Sequence, residues 1–323
     1  MFQTDPILWL QAFASDWLTT FMRLVSEIGA GGVYRAALIA IVFGVELRAG
    51  LLLLNLVFWS YLLGGVFKLV FALPRPPLVD PRVQDLGAAV PDPAACPGPG
   101  PSDFWSPLGP DVLACCRALP RLSFGFPSAH LTGTTSFYEG SALLLRHRGL
   151  ALLGVAMVPL MGVSRLYLGS HFLADTVGGV VVGAIGIGSA AALRSRPRVG
   201  AAILLGSALA VLLAQPPLAL GAGRLAGAVA STLFLLWRGL PFEGGSLRVR
   251  LARVGLAYGL YFGSLDLVPA IAVKGGFAGS TWVDFATGAL PISLCLVGTV
   301  WLGVRLRLFG PASAHPAAPT ALP

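Results

Sequence analysis

Lysine is nearly absent from this chain of 323 residues, at Lys68 and Lys274 only, yet Lys68 sits inside an apolar run. Arg75 follows just beyond the end of that run. Ser128 and His130 open a later apolar run, Arg165 closes the next, and His171 and Asp175 open the one after. Ionisable groups placed there are costly, and they face a cavity or one another. Lys68, Arg75 and Arg165 are three cations without an equal number of nearby acids, which describes an anion site. Pro127 followed by Ser128 at a helix start offers free backbone N–H groups and the positive end of a helix dipole, both suited to phosphate. His171 and Asp175 lie four apart, so on a helix they share a face. A carboxylate on one ring nitrogen orients a histidine and raises its basicity, as in nucleophile–base–orienter sets. His130 is then left for general acid and base work.

The elements that must hold these residues follow from composition. The chain is 56% hydrophobic and 11% charged, whereas a soluble domain carries about 25% charged residues. The apolar segments follow one another without a domain break, so we expect an all-α fold: a single polytopic bundle of transmembrane helices. A helix crosses the hydrocarbon core in about 20 apolar residues. Segments that qualify, or nearly so, run at about 32–47, 50–73, 129–145, 149–168, 172–193, 199–219, 223–240, 254–273 and 285–304, which makes nine spans. Before them, apolar residues between 6 and 28 recur at intervals of three or four and interleave with Asp16, Arg23 and Glu27. That pattern fits an interfacial amphipathic helix better than a tenth span. The opening MFQTDP lacks the positive region of a cleavable signal peptide.

Orientation follows from the loops. Twelve of the 22 Lys and Arg residues, from Arg48 and Arg146 to Arg305 and Arg307, fall at alternate ends of the nine spans. That face is expected to be cytoplasmic, which also explains the net charge of +8 without invoking nucleic acid. The Lys68, Arg75, Ser128, His130, Arg165, His171 and Asp175 ends then all face outward. So does the long 74–126 segment, rich in Pro and Gly, whose stretch AACPGPGP reads as flexible or extended. In an oxidising compartment Cys96 has two candidate partners there, Cys115 and Cys116; unpaired thiols are the alternative. The expected organisation is an interfacial segment at 1–30, a catalytic core at 31–194 that includes the 74–126 loop, further spans at 195–308, and a disordered tail at 309–323.

Three stretches carry a family resemblance. KLVFALPRP (68–76), PSAH (127–130) and SRLYLGSHFLAD (164–175) resemble, in order and spacing, the three signature motifs of the type 2 phosphatidic acid phosphatase family. One fixed position departs: Ala129 stands where the family pattern has Gly, which adds a methyl group and narrows the backbone freedom of that turn. The resemblance implies a membrane phosphatase that uses neither metal nor cofactor. Lys68, Arg75 and Arg165 would hold the phosphate oxygens, and Ser128 with the backbone N–H groups of Ser128 and Ala129 would complete the cradle. His171 would attack phosphorus and form a phosphohistidine, Asp175 would fix its tautomer, and His130 would protonate the leaving oxygen and then activate water. Charge stabilisation falls to the cations and the helix end.

Each residue taken singly has a plainer reading. Lys68 alone would snorkel to the interface, His171 would pack or cap, and Arg75 or Arg165 would anchor a span end. What the plain readings do not explain is their convergence on one face. GAIGIG (183–188) lies inside a span with no strand before it, and Gly179 and Gly183 read as close helix packing. Asp266 and Glu139 are acids within spans; Asp266 lines the cavity or pairs with Arg35 or Lys274. For the substrate, a lipid phosphate or diphosphate is favoured over a sugar phosphate as in glucose-6-phosphatase; a phosphotransferase and a non-catalytic anion transporter are the remaining readings. The expected partners are the bilayer and a phosphorylated lipid or small phosphomonoester, with a homodimer possible in principle. The site is expected on the extracytoplasmic side, of a bacterial inner membrane or facing the lumen in a eukaryote.

Overall fold

The computed structural model describes residues 1–87, 96–98, 100–101, 103–119, 124–193 and 197–312. The helices are α1 (Asp5–Gln11), α2 (Asp16–Ile28), α3 (Gly31–Gly44), α4 (Leu47–Phe71), α5 (Pro76–Val79), α6 (Pro110–Ala118), α7 (Ala129–Leu145) and α8 (Arg148–Tyr167). There follow α9 (Leu173–Leu193), α10 (Pro197–Ala214), α11 (Ala219–Arg238), α12 (Leu247–Ser264), α13 (Leu267–Lys274), α14 (Thr281–Ser293) and α15 (Thr299–Arg305). A π turn at Leu294–Gly298, one turn past Pro291, joins α14 to α15, the usual relief where proline interrupts the hydrogen-bond ladder. The one ladder of strands among the described residues pairs β1 (Pro241–Phe242) with β2 (Gly310–Ala312). The fold is helical and built of apolar helices, as a membrane protein requires.

By length and composition, five stretches among the described residues can cross a bilayer: Leu47–Val79, Arg148–Tyr167, Pro216–Arg238, Leu247–Lys274 and Thr281–Arg305. The bent pair α2 and α3 makes a sixth if it is one span, and Leu173–Ser189 and Val199–Ala214 are apolar but shorter. The expected span at 129–145 is not among them. Helix α7 carries Thr132, Thr134, Thr135, Ser136 and Ser141, all buried, and is wrapped by protein along most of its length. Three of these hydroxyls bond back to carbonyls one turn earlier: Thr132 to Ser128 at 3.1 Å, Thr134 to His130 at 2.7 Å and Ser136 to Thr132 at 2.7 Å, a local bond that lets such a side chain be buried in a helix. Thr135 Oγ1 and Ser141 Oγ are buried without a partner.

The chain divides into two compact units, Met1–Tyr34 with Leu63–Ser189, and Arg35–Leu62 with Ala190 onward. In the first, α9 packs on α7 through two glycines. A Cβ at Gly179 would stand 2.6 Å from the Ser128 carbonyl oxygen, and one at Gly183 would stand 2.7 Å from Thr135 Cβ. The same unit holds a small outer core of Ile7, Leu78, Val79, Val83, Cys96, Leu108, Val112, Cys116, Leu166 and Phe172. The 74–126 segment is therefore partly built: α5 and α6 pack into this core, and Cys96 is joined to Cys115, with Cys116 buried as a free thiol. Part of AACPGPGP lies outside the described residues.

The N-terminal segment, expected as an interfacial amphipathic helix, forms α1 and α2, and part of the polar side of α2 packs on protein. Trp17, Phe21, Leu24 and Ile28 are its exposed large apolar residues, and Asp16, Thr20, Arg23 and Glu27 are exposed beside them. Thr19 meets the Tyr167 hydroxyl at 2.8 Å, Arg23 donates to the Leu86 carbonyl at 2.7 Å, and Ser26 accepts from Arg165.

In the second unit, α11 packs closely on α14 through glycine: a Cβ at Gly223 would meet the Phe285 carbonyl, and one at Gly288 the Leu220 carbonyl. Asp266 lies within the Leu247–Lys274 stretch as expected, at the break between α12 and α13, and is exposed. The tail begins later than composition suggests. Phe309 is buried under Arg253, 4.4 Å from the guanidinium carbon to the ring centroid, and Gly310–Ala312 is strand. The expected disorder after that, at 313–323, lies outside the described residues.

Candidate active site

Four chain ends meet in the first unit. Helix α4 ends at Phe71, where Ala72 adopts a left-handed φ of 48° and turns the chain toward Arg75. Lys68, one turn before that end, donates to the carbonyls of Phe124 at 2.8 Å and Gly125 at 3.0 Å. Gly125 in turn donates its N–H to Leu73 at 2.8 Å, which ties the approach to α7 onto the exit from α4. No side chain fits at that position: a Cβ on Gly125 would lie 2.7 Å from Asp175 Oδ2 and 2.9 Å from the Pro74 carbonyl.

The α8–α9 connection presents the remaining groups. Arg165 is buried in the last turn of α8. Gly169, at φ +72°, reverses the chain, a conformation that glycine adopts without strain. Ser170 and His171 follow, and the Ser170 carbonyl accepts from Arg75 Nη1 at 3.1 Å. His171 and Asp175 are both almost fully buried, 2% and 0% exposed. His171 Nδ1 stands 3.2 Å from Asp175 Oδ2, and the same oxygen accepts the Phe172 N–H at 2.9 Å. With Nδ1 turned to the carboxylate, Nε2 is the nitrogen left to react. Burial, and then the charges of Arg75, Arg165 and Lys68, hold His171 well below the ordinary imidazole range. The ring is thus neutral, the form with a lone pair to donate.

The helix-start expectation needs one correction. The Ser128 N–H is not free, because it donates to the Asp175 carbonyl at 2.9 Å. That bond fastens the start of α7 to the start of α9 and leaves the Ser128 hydroxyl, buried and without a partner, as this residue's remaining group. The amides of Ala129, His130 and Leu131 open the helix and have no acceptor within it. His130 lies one residue inside α7, in electrostatic range of Arg165, Arg75 and Lys68. Its ring borders Gly29, where a Cβ would come within 3.1 Å of His130 Cδ2.

The structure thus brings Lys68, Arg75, Ser128, Ala129, His130, Arg165, His171 and Asp175 to one place. Three polar atoms in the set are buried and unpartnered: Ser128 Oγ, Arg165 Nε and Asp175 Oδ1. Buried polar groups are normally satisfied, so this concentration marks a place built for something else to bind. A separate cavity of about 220 Å³, lined by Phe2, Thr4, Asp80 and Arg82 among others, is a poorer candidate. Its polar groups satisfy one another, with Thr4 donating to Asp80 at 2.6 Å and Arg82 bonding the same carboxylate at 2.8 Å.

Sequence reasoning missed the contribution of the amino-terminal helices. Ser26 accepts from Arg165 Nη1, Ser164 Oγ donates to the Met22 carbonyl at 2.7 Å, and Ala174 N–H reaches the Met1 carbonyl at 3.3 Å. The signal was present in the polar positions of α2, Thr19, Arg23 and Ser26, but a polar stripe does not say whether it faces water or protein. Glu139 and His147 belong elsewhere: Glu139 lies against Gly154 of α8, and His147 is exposed at the start of that helix.

No curated protein and no solved structure matches the chain. The family model of the PAP2 superfamily, whose members are phosphatases of phosphate esters, matches residues 49–198 and so takes in every residue of this site. Residues 49–198 of this chain are thus similar to the PAP2 superfamily.

Proposed function

We propose that the protein hydrolyses a lipid phosphate or diphosphate through a phosphohistidine on His171, without a metal, at the extracytoplasmic face of a membrane. The observation that carries this reading is the pairing of a buried His171 with Asp175 among three cations already held by protein acceptors. An anion-binding site alone has no use for an oriented histidine.

In the first step His171 Nε2 attacks phosphorus and the bond to the leaving oxygen breaks. His130 gives that oxygen its proton. As the nitrogen gains a bond to phosphorus, the ring becomes cationic, and Asp175 at Nδ1 stabilises it. Lys68, Arg75 and Arg165 hold the equatorial oxygens, where charge accumulates. The Ser128 hydroxyl and the open amide of Ala129 add donors. In the second step water attacks phosphorus, His130 takes its proton, and phosphate leaves as the N–P bond breaks. Each cation is fixed beforehand, so little reorganisation is needed at the moment of reaction.

A lipid substrate is favoured by the apolar rim of the site. Val70 and Phe71 are exposed just past Lys68, and Phe71 meets Phe126 edge-on at 5.0 Å, next to the Pro127–Ser128 turn. An acyl or prenyl chain has apolar surface to follow there, whereas a sugar does not. The outward side is supported by the arginine-rich ends opposite the site and by the Cys96–Cys115 bridge, which belongs in an oxidising compartment. We retain nine spans for the whole chain, counting α7, whose serine and threonine residues are buried in protein, together with α9 and α10. The 1–30 segment we now assign to the catalytic unit.

Phosphate release from phosphatidate, a polyprenyl diphosphate, sphingosine phosphate and glucose 6-phosphate, measured with EDTA present, tests this reading. Release from a lipid substrate undiminished by EDTA is expected. Preference for glucose 6-phosphate would overturn the lipid assignment, and loss of activity on chelation would overturn the metal-free one.

A further inference from the structure

The second unit carries its own unpaired cations. Helices α4 and α11 run antiparallel in a fixed register. Asn55 donates to Thr232 Oγ1 at 2.8 Å at one end, and Gly221 approaches Leu62 at the other, where a Cβ would lie 3.6 Å from Leu62 Cδ1. That register sets Tyr61 level with the turn that carries Arg224. Helices α3 and α12 are pinned likewise: Tyr258 donates to the Ala36 carbonyl at 2.9 Å and Arg250 to the Gly44 carbonyl at 3.4 Å. Arg35 therefore lies beside the turn of α12 that runs from Tyr258 to Tyr261. The four side chains act on one another electrostatically, Tyr61 with both arginines and Arg224 with Arg35 and Tyr261.

Among the described residues no acid neutralises these arginines: neither forms an ion pair with a carboxylate, and Asp266, a candidate partner for Arg35 by sequence, is exposed at another helix start. Arg35 Nε and the Tyr61 hydroxyl are buried without a hydrogen-bond partner. Two guanidinium groups within electrostatic range of one another inside apolar helices are costly when unpaired. Guanidinium groups only donate, and a tyrosine hydroxyl can donate as well. A set of convergent donors with no acid is what a tetrahedral oxyanion requires.

We propose that Arg35, Tyr61, Arg224 and Tyr261 form a second anion site, separate from the His171 site, whose ligand is a phosphate group. The inference does not depend on the chemistry assigned to His171.

Native mass spectrometry of the protein in phosphatidylcholine nanodiscs, in a His171→Ala background that prevents turnover, tests it. One arm adds short-chain phosphatidate and the other adds inorganic phosphate. In the phosphatidate arm, Arg35→Gln/Arg224→Gln is expected to bind one ligand fewer than its parent, with an unchanged melting temperature in the absence of ligand. Arg165→Gln is expected to lose the other ligand. If the catalytic reading is wrong, the parent binds one ligand and the double variant none, which still supports this site. Displacement of the lipid by inorganic phosphate means that the phosphate alone is recognised; no displacement means that the acyl chains are needed. Should the double variant fail to fold, Tyr61→Phe keeps both charges and is expected to weaken binding at this site about tenfold. Unchanged stoichiometry in the double variant, or unchanged affinity in Tyr61→Phe, overturns the proposal.

Discussion

Arg165 and Arg253 are both buried arginines, 7% and 2% exposed, and they are used in opposite ways. Arg253, in the second unit, spends its donors on protein: Nε donates to the Leu308 carbonyl at 2.7 Å, Nη1 to the Glu243 carbonyl at 2.7 Å, and Nη2 to the Gly244 carbonyl. Its face also lies over Phe309. Arg165, in the first unit, gives Nη1 to Ser26 and keeps Nε buried without a partner. One guanidinium is a knot that closes the end of a polypeptide; the other is held by one edge with donor capacity in reserve. Counting buried charges would rank the two alike. Counting unspent donors separates a structural arginine from one placed for a ligand.

The contrast is broken most strongly at His171. His171→Ala is expected to lower turnover by about 10³-fold or more, with the melting temperature in detergent nearly unchanged. A turnover loss explained by loss of folded protein would instead make His171 a packing residue. Arg165→Ala is expected to cost about 10²–10³-fold in kcat/KM and to leave a folded protein. Arg253→Ala should do the reverse. Three carbonyls lose their donor and the Phe309 contact goes, a cost of about 3 kcal/mol in stability, with turnover per folded molecule preserved. Thermal unfolding and kinetics on the two variants side by side decide whether the distinction holds.

Reduction of the Cys96–Cys115 bridge is expected to lower stability by about 2–4 kcal/mol, from the loop that it closes. The check is a lower melting temperature in reductant, absent in a Cys96→Ser/Cys115→Ser variant. A pH effect follows from His171. Burial and the neighbouring cations depress its folded value, so its contribution to stability is complete above the free imidazole value of about 6.5. It is lost as pH falls from there toward the depressed value, because the unfolded chain takes up a proton that the native site refuses. Melting temperatures in phosphate-free buffer should therefore decline below about pH 6.5, and less steeply in His171→Gln. The smallest expected effect is at Ser26. Ser26→Ala removes one bond from Arg165 and should lower kcat/KM roughly fivefold, with KM carrying most of the change.

Much of the site was legible in the sequence because its residues break the rules of their surroundings. Lys68 in an apolar run, arginines at span ends and a histidine four residues before an aspartate are visible without coordinates, and their spacing limits which faces they share. The unread parts depended on what surrounds a helix. The polar stripe of α2 looked like a water-facing surface until Tyr167, Leu86 and Arg165 were found against it. Nothing in the pattern of α7 told that its five serine and threonine residues are buried in protein. The Pro- and Gly-rich 74–126 segment read as a loop because α5 and α6 are short, and their stability comes from Ile7, Leu166, Phe172 and a disulfide far away in sequence. Arg253 looked like one more basic flank, since no pattern reveals that backbone carbonyls will enclose it.

The most direct test is to trap the intermediate. Protein mixed with phosphatidate labelled at phosphorus and quenched in alkali should retain label in an acid-labile, alkali-stable linkage that maps to His171 and is absent from His171→Ala. Turnover by the wild-type protein with no such linkage, or label that persists in His171→Ala, would contradict the account.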